Sequence, residues 1–382
     1  MVDNLRSGSI LVVDDVPEHP RGLLGELADL VEIVHPDDIS SNHLEKAHLV
    51  LVDHDLKSAD WPTRANYPLA CQPLDGVALG HLLLGHFRSS EFSHSPPTAV
   101  GVLSAQLDII TPGFDDVPEH IAARTSGLHW AFWKTPRSVD ADEQPLTKRI
   151  QTLAESVMSL PDNWKEGKHL AHLWLLLGLD NSDVASWAHV GLNHALRSRP
   201  PLHELATWTS GLSVIRWLAQ RVLPYPTFLL GLDSLAVRLG VMPNWFREQM
   251  KLGMPLEKLF QESEYRGILH GFLGRRWWIA GIDEQLQNAG PDVAFNRKKL
   301  AEMLKSEAKS DPALLPSDHT LVLDNRLVTS SATAPFSECV RLQLDDWPSF
   351  AEEPWTTIKL AQQSNRLRAS VHFDDEERLA NE

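Results

Sequence analysis

The apolar run "ILVV" at 10–13 ends on two adjacent acids, Asp14 and Asp15, and "LVLV" at 49–52 ends on Asp53, with Asp55 two residues on. Further along, "AVGVL" ends on Ser104 and "HWAFW" on Lys134. Neighbouring carboxylates repel, so the Asp14–Asp15 pair costs stability unless a cation or a proton lies between its members. A lone aspartate at a strand end is most often structural. Acids, a hydroxyl and an amine brought to one edge by separate strands form a constellation that a structural role does not explain.

The segments carrying these groups alternate in kind. The apolar runs at 8–15, 31–35, 47–56, 98–105 and 128–134 read as strands, and most are continuous enough to be covered on both faces. Between them, "RGLLGELADL" at 21–30 and "GVALGHLLLGHF" at 76–87 have helical patterns, and the amphipathic "LTKRIQTLAESVMSL" at 146–160 closes the unit. Such alternation predicts a parallel sheet with helices on both faces. Ligands of these sheets sit outside the carboxyl ends of the strands, at the point where the strand order reverses.

The order of strand-end groups resembles the receiver domain of two-component response regulators, over residues 8–160. "VLSAQ" is similar to that family's hydroxyl–alanine step, and "PLDGVALGHLL" to the start of its third helix. The resemblance implies an α/β fold with a flavodoxin-like doubly wound parallel sheet. It implies that Asp14, Asp15 and Asp53 hold Mg²⁺. By the same likeness Asp53 is the phosphoacceptor, with Asp55 the runner-up, and Ser104 and Lys134 contact the phosphoryl oxygens. The chemistry is coherent: Mg²⁺ prefers carboxylates, and a nucleophilic carboxylate needs its charge and the phosphoryl charge offset. Three departures stand out. An insertion at 57–73 follows the acceptor, Thr135 separates Lys134 from Pro136, and Ala131 stands where the family often places a switching aromatic residue.

The formal charge of −16 lies about two thirds in the first 149 residues, which speaks against nucleic acid as the main partner. No uncharged apolar stretch has the length of a membrane span, and two cysteines offer no disulfide framework, so a cytoplasmic setting is expected. After a linker near 159–167 the pattern becomes helical and tryptophan-rich, with helices expected at 169–179, 184–198, 202–223, 243–270, 271–288 and 292–309. Tryptophans at helical spacing are most often core. A small β element is expected at 319–346, with a turn at Asp324-Asn325, then a helix and a mobile acidic tail at 374–382. The domains are thus 1–160, receiver-like, and 161–382, mostly helical.

The leading expectation is a phosphoacceptor response regulator. It takes its phosphoryl group from a histidine kinase and acts through a protein partner of the helical domain, with a phosphate sink as a variant and a homodimer left open. A second class is a pseudo-receiver scaffold that is never phosphorylated. A third is a receiver-regulated effector enzyme, a hydrolase or nuclease, for which the helical half offers no complete catalytic pattern. Beyond phosphoryl transfer and autodephosphorylation, no enzyme activity is expected.

Overall fold

The computed structural model describes residues 5–56, 73–88, 96–111, 116–135, 144–161, 168–180, 186–202 and 211–380. The insertion at 57–73 lies, but for its last residue, outside them, as does Pro136.

Five apolar runs build one parallel sheet: β1 (Ile10–Val13), β2 (Val31–Val34), β3 (Leu49–Asp53), β4 (Ala99–Ser104) and β5 (Trp130–Trp133). Every residue of β1, β3, β4 and β5 is buried, as near-continuous Val, Leu and Ile runs require when helices cover both faces. The order is β2-β1-β3-β4-β5, all parallel, which is the flavodoxin-like order with its reversal between β1 and β3. The sheet helices are α1 (Glu18–Leu23), α2 (Ser41–Lys46), α3 (Gly76–Phe87), α4 (Glu119–Ser126) and α5 (Leu146–Met158). The pattern at 21–30 gives less helix than expected, because α1 stops at Leu23 and a 3-10 turn follows at Gly25–Leu27. Gly22 and Gly25 each cost a helix about 1 kcal/mol relative to alanine. Helix α2 is too short for apolar periodicity to reveal. It is set by a capping box in which the Ser40 amide donates to His43 Nδ1 at 3.2 Å.

Two compact units divide the chain. The first holds Met1–Leu176, Pro201–Gln220 and Ile268–Leu273; the second holds Leu177–Pro200, Arg221–Gly267 and Gly274–Glu382. In the first unit, later segments grip the edge strand β5. Gln220 Nε2 donates to the carbonyls of Leu128 and His129, both at 2.8 Å. The Phe272 ring lies 4.8 Å from Trp130 and 6.2 Å from Phe132, edge to face. The first contact satisfies two carbonyls just before β5, and the second packs a ring on the face that Trp130 and Phe132 share.

The second unit is built on a core that includes Leu235, Phe246, Phe260, Trp277, Ile282 and Leu304. Trp278 stacks on Phe228 at 5.4 Å and neighbours Trp187 and Tyr265. The helix expected over 243–270 is divided into Pro243–Gln249 and Pro255–Leu259, since Pro255 starts a new helix and Gly253 takes a φ of +84°. That expected over 271–288 begins only at Ile279, after Gly271 and Gly274 with φ of +76° and +81°. The β element is a hairpin, His319–Leu323 with Thr329–Pro335, and a second pair, Cys339–Arg341 with Trp355–Thr357. Asp324 shapes the hairpin turn by accepting from the amides of Arg326 and Val328 at 2.9 and 3.1 Å. The acidic end is not a free tail up to residue 380. Residues 373–380 form a 3-10 and a helical turn, and buried Asp375 accepts from Arg341 N and Nε at 2.9 and 3.0 Å. Among the described residues no helix is long and apolar enough to cross a membrane.

Helix α3 starts against the end of β3 by a contact that only glycine allows. Gly76 N donates to His54 O at 3.0 Å, Asp75 caps the helix by accepting from Ala78 N at 2.8 Å, and a Cβ on Gly76 would lie 1.9 Å from Asp53 O. Gly76→Ala therefore forces α3 away from β3. The expected loss is about 2–3 kcal/mol, read as a lower urea midpoint at unchanged slope.

Candidate metal centre

Parallel strands place their carboxyl ends on one edge, so β1, β3, β4 and β5 present their last residues together. Asp14 follows β1 directly and is fully buried; its Oδ1 accepts from Val16 N at 2.8 Å, which fixes the rotamer. Asp53, the last residue of β3, is 9% exposed. The two stand on either side of the strand-order reversal. Strands about 4.8 Å apart leave β5 two positions from β3. A side chain as long as lysine is needed to span that gap. Lys134 Nζ reaches Asp53 Oδ2 at 2.9 Å and Asp14 Oδ2 at 3.2 Å, bridging both acids.

Asp14, half-buried Asp15 and Asp53 each offer an oxygen, and these oxygens lie within 4.8 Å of one another. Three carboxylates and the Lys134 ammonium meet at this edge. All the donors are hard oxygens of the kind a divalent cation takes, and the cluster could hold a metal ion. Ser104 ends β4 between the lysine strand and the acid strand. Its carbonyl accepts from Lys134 N at 2.8 Å and its Oγ from Gln106 N at 3.0 Å. Asp55 is exposed and is not one of the three clustered acids.

Burial, reinforced by the Asp14 charge and opposed by Lys134, raises the Asp53 carboxyl to about 6. Burial acts to lower the Lys134 ammonium, but its hydrogen bonds and attraction to Asp53 and Asp14 outweigh that and leave it raised.

Around this edge are residues that the strand-end pattern did not reveal. Glu119, the first residue of α4, accepts from Trp133 N at 2.9 Å through Oε1 and from Trp130 Nε1 at 3.1 Å through Oε2. It is ion-paired with buried Arg149 of α5. The amide it holds belongs to the residue before Lys134, so the end of β5 is fixed on its open side as well as through the sheet. A glutamate opening a helix is too common a signal to have marked it.

The fold and site define a five-stranded parallel α/β unit with a lysine-bridged acidic cluster at its carboxyl edge, compatible with a receiver-like fold. No known protein family, curated protein or solved structure matches the chain.

The raised Asp53 carboxyl has a consequence for stability. An unfolded aspartate titrates near 3.9, so from about pH 4 to pH 6 the folded chain binds this proton more tightly than the unfolded one. Its contribution to stability is therefore lost as pH rises through that window. Thermal melts of the metal-free protein from pH 4 to pH 8 are expected to fall more steeply across it for wild type than for Asp53→Asn. The variant is expected to melt higher at pH 7, and added Mg²⁺ to raise only the wild-type midpoint.

Proposed function

We propose that this protein is a phosphoacceptor signalling protein of the two-component type, phosphorylated on Asp53. The observation that carries the reading is the bridge of Lys134 across Asp14 and Asp53, beside Asp15 and Ser104, at the strand-order reversal of a parallel sheet. In this reading Asp14, Asp15 and Asp53 hold Mg²⁺, which supplies positive charge to offset that of the acceptor and the incoming phosphoryl group.

The chain's own residues would act as follows. The Asp53 carboxylate attacks phosphorus, forming an O–P bond as the P–N bond to the donor histidine of a histidine kinase breaks; the imidazole leaves with the bonding pair. Lys134 keeps three N–H donors at the acceptor and turns them to the phosphoryl oxygens, and the Ser104 hydroxyl donates to the same group. Burial of Asp14 and Asp53 keeps bulk water from the pair and strengthens each of these charge contacts. The second unit then serves as the surface through which a protein partner is docked or controlled.

A second reading has one observation in its favour: Lys134 already satisfies Asp14 and Asp53 as an ion triad. On that reading the edge is a scaffold and is never phosphorylated. Intact mass after incubation with Mg²⁺ and acetyl phosphate separates the two. We expect wild type to gain one phosphoryl group, and no gain without Mg²⁺ or in Asp53→Asn. No gain under conditions that label a control receiver domain, and none from histidine kinases, would favour the scaffold. A gain that survives Asp53→Asn but not Asp55→Asn would move the acceptor to Asp55.

A further inference from the structure

We propose that the second unit binds a small alkylated ammonium cation in a cleft between the helix Leu232–Arg238, the hairpin of His319–Leu323 with Thr329–Pro335, and the segment 347–355. Every wall of the cleft belongs to the second unit, so the site stands whether or not Asp53 is phosphorylated. The cleft encloses about 160 Å³. Pockets for drug-sized ligands begin at about 300 Å³, whereas an engineered cavity of roughly 150 Å³ takes benzene. The occupant here is therefore one compact group.

The lining sets the chemistry. Val237, Leu321 and Leu323 supply apolar wall, and half-buried Trp347 and Trp355 supply two indole rings. Glu352 and Glu353, both exposed, bring two carboxylates to the rim. The guanidinium in the lining, Arg238, is already paired: its Nη2 donates to both oxygens of Asp283, at 2.8 and 3.0 Å. Although Glu352 is exposed, the protein around its carboxyl raises it above the ordinary range, with Arg238 opposing, and a cation beside it relieves that cost. A bare metal ion does not suit this lining, because among the described residues no third acid joins these two at metal-binding distance. Tryptophan is the ring that attracts cations best. Alkyl groups on the nitrogen remove N–H donors that would otherwise need water, and they fill the apolar wall.

The rings are positioned before any ligand arrives. Trp347 Nε1 donates to Glu352 O at 2.8 Å, and Tyr225 packs against the Trp347 ring edge to face, 4.8 Å between centroids. Glu352 N donates to Pro226 O and Leu342 N to Pro354 O, each at 2.9 Å, so the segment is tied at two points. Trp355 pairs with Arg341 across antiparallel strands, and Phe336 packs on its ring at 5.0 Å. The next residue, Thr356, donates through Oγ1 to Leu323 O at 3.1 Å, which fixes this strand to the hairpin. Groups ordered in advance cost a ligand little to engage, and that is what lets a small cation bind through few contacts.

The test is calorimetric titration of the full-length protein with choline, with tetramethylammonium, and with the neutral alcohol in which a tert-butyl group replaces the trimethylammonium of choline. Choline is expected to bind at one site, about tenfold more tightly than its neutral isostere. Glu352→Gln removes a charge at an exposed position and leaves the backbone contacts of the segment in place. It is expected to weaken choline about tenfold at an unchanged melting temperature. Trp355→Leu keeps apolar filling but loses the indole, and a similar weakening is expected. Equal affinity for choline and the neutral isostere overturns the proposal, as does choline binding that is unchanged in Glu352→Gln. Absence of binding by both cations up to about 10 mM overturns it as well.

Discussion

The ammonium of Lys134 between Asp14 and Asp53 is the interaction on which the carboxyl edge depends. Without it, two buried carboxylates would face each other across the gap between β1 and β3, and a buried like-charge pair cannot stay ionised. With it, the strand order acquires a meaning. The lysine must come from β5 and cross β4, so β5 must end in register with β3, which the ladder through β4 ensures. The contact is thus the sum of three strand pairings, and a slip of one residue in either ladder would point the lysine to the opposite face.

That requirement explains the attention the fold gives to an edge strand. Gln220 satisfies carbonyls at the entry to β5, Phe272 covers its rings, and Glu119 holds the last amide before Lys134. The Glu119–Arg149 pair is buried, and such pairs add little net stability because desolvation offsets their attraction. What the pair supplies is a single geometry: a guanidinium wedged between two rings, and a carboxylate with three kinds of donor, cannot be satisfied in a neighbouring register.

The sheet and its edge were legible in the sequence for a physical reason. Strands buried on both faces must be apolar throughout, so their ends are sharp, and the polar residue just past each end is the one that reaches the edge. Asp14, Asp53, Ser104 and Lys134 follow from that rule. Asp15 was marked by its charge beside Asp14. Glu119, Arg149, Gln220 and Phe272 follow no such rule, since they act across 11 to 142 residues of chain and carry only ordinary local signals. The helices after 240 were legible in position but not in length, because apolar spacing persists through Pro255 and Gly253 while the backbone cannot. The return of 201–220 and 268–273 to the first unit has no local signature at all: an apolar turn looks the same whichever core receives it.

An edge made only for stability would not be built this way. A purely structural triad would match its charges, one acid to one base, or give way to apolar side chains of equal volume at no loss. Here three carboxylates each offer an oxygen within reach of one ion, and Asp53 is more basic than a free aspartate despite its lysine. Its ionised form is disfavoured in the chain by itself. A group that binds only the folded protein and carries positive charge regains that free energy on binding, by mass action on the folded state. On the phosphoacceptor reading we propose, the same disfavoured carboxylate is the more basic nucleophile, and conversion to an acyl phosphate moves its charge outward, away from Asp14. On that reading the acidic cluster and the hold on β5 belong together: the first could take a cation, and the second keeps Lys134 at Asp14 and Asp53.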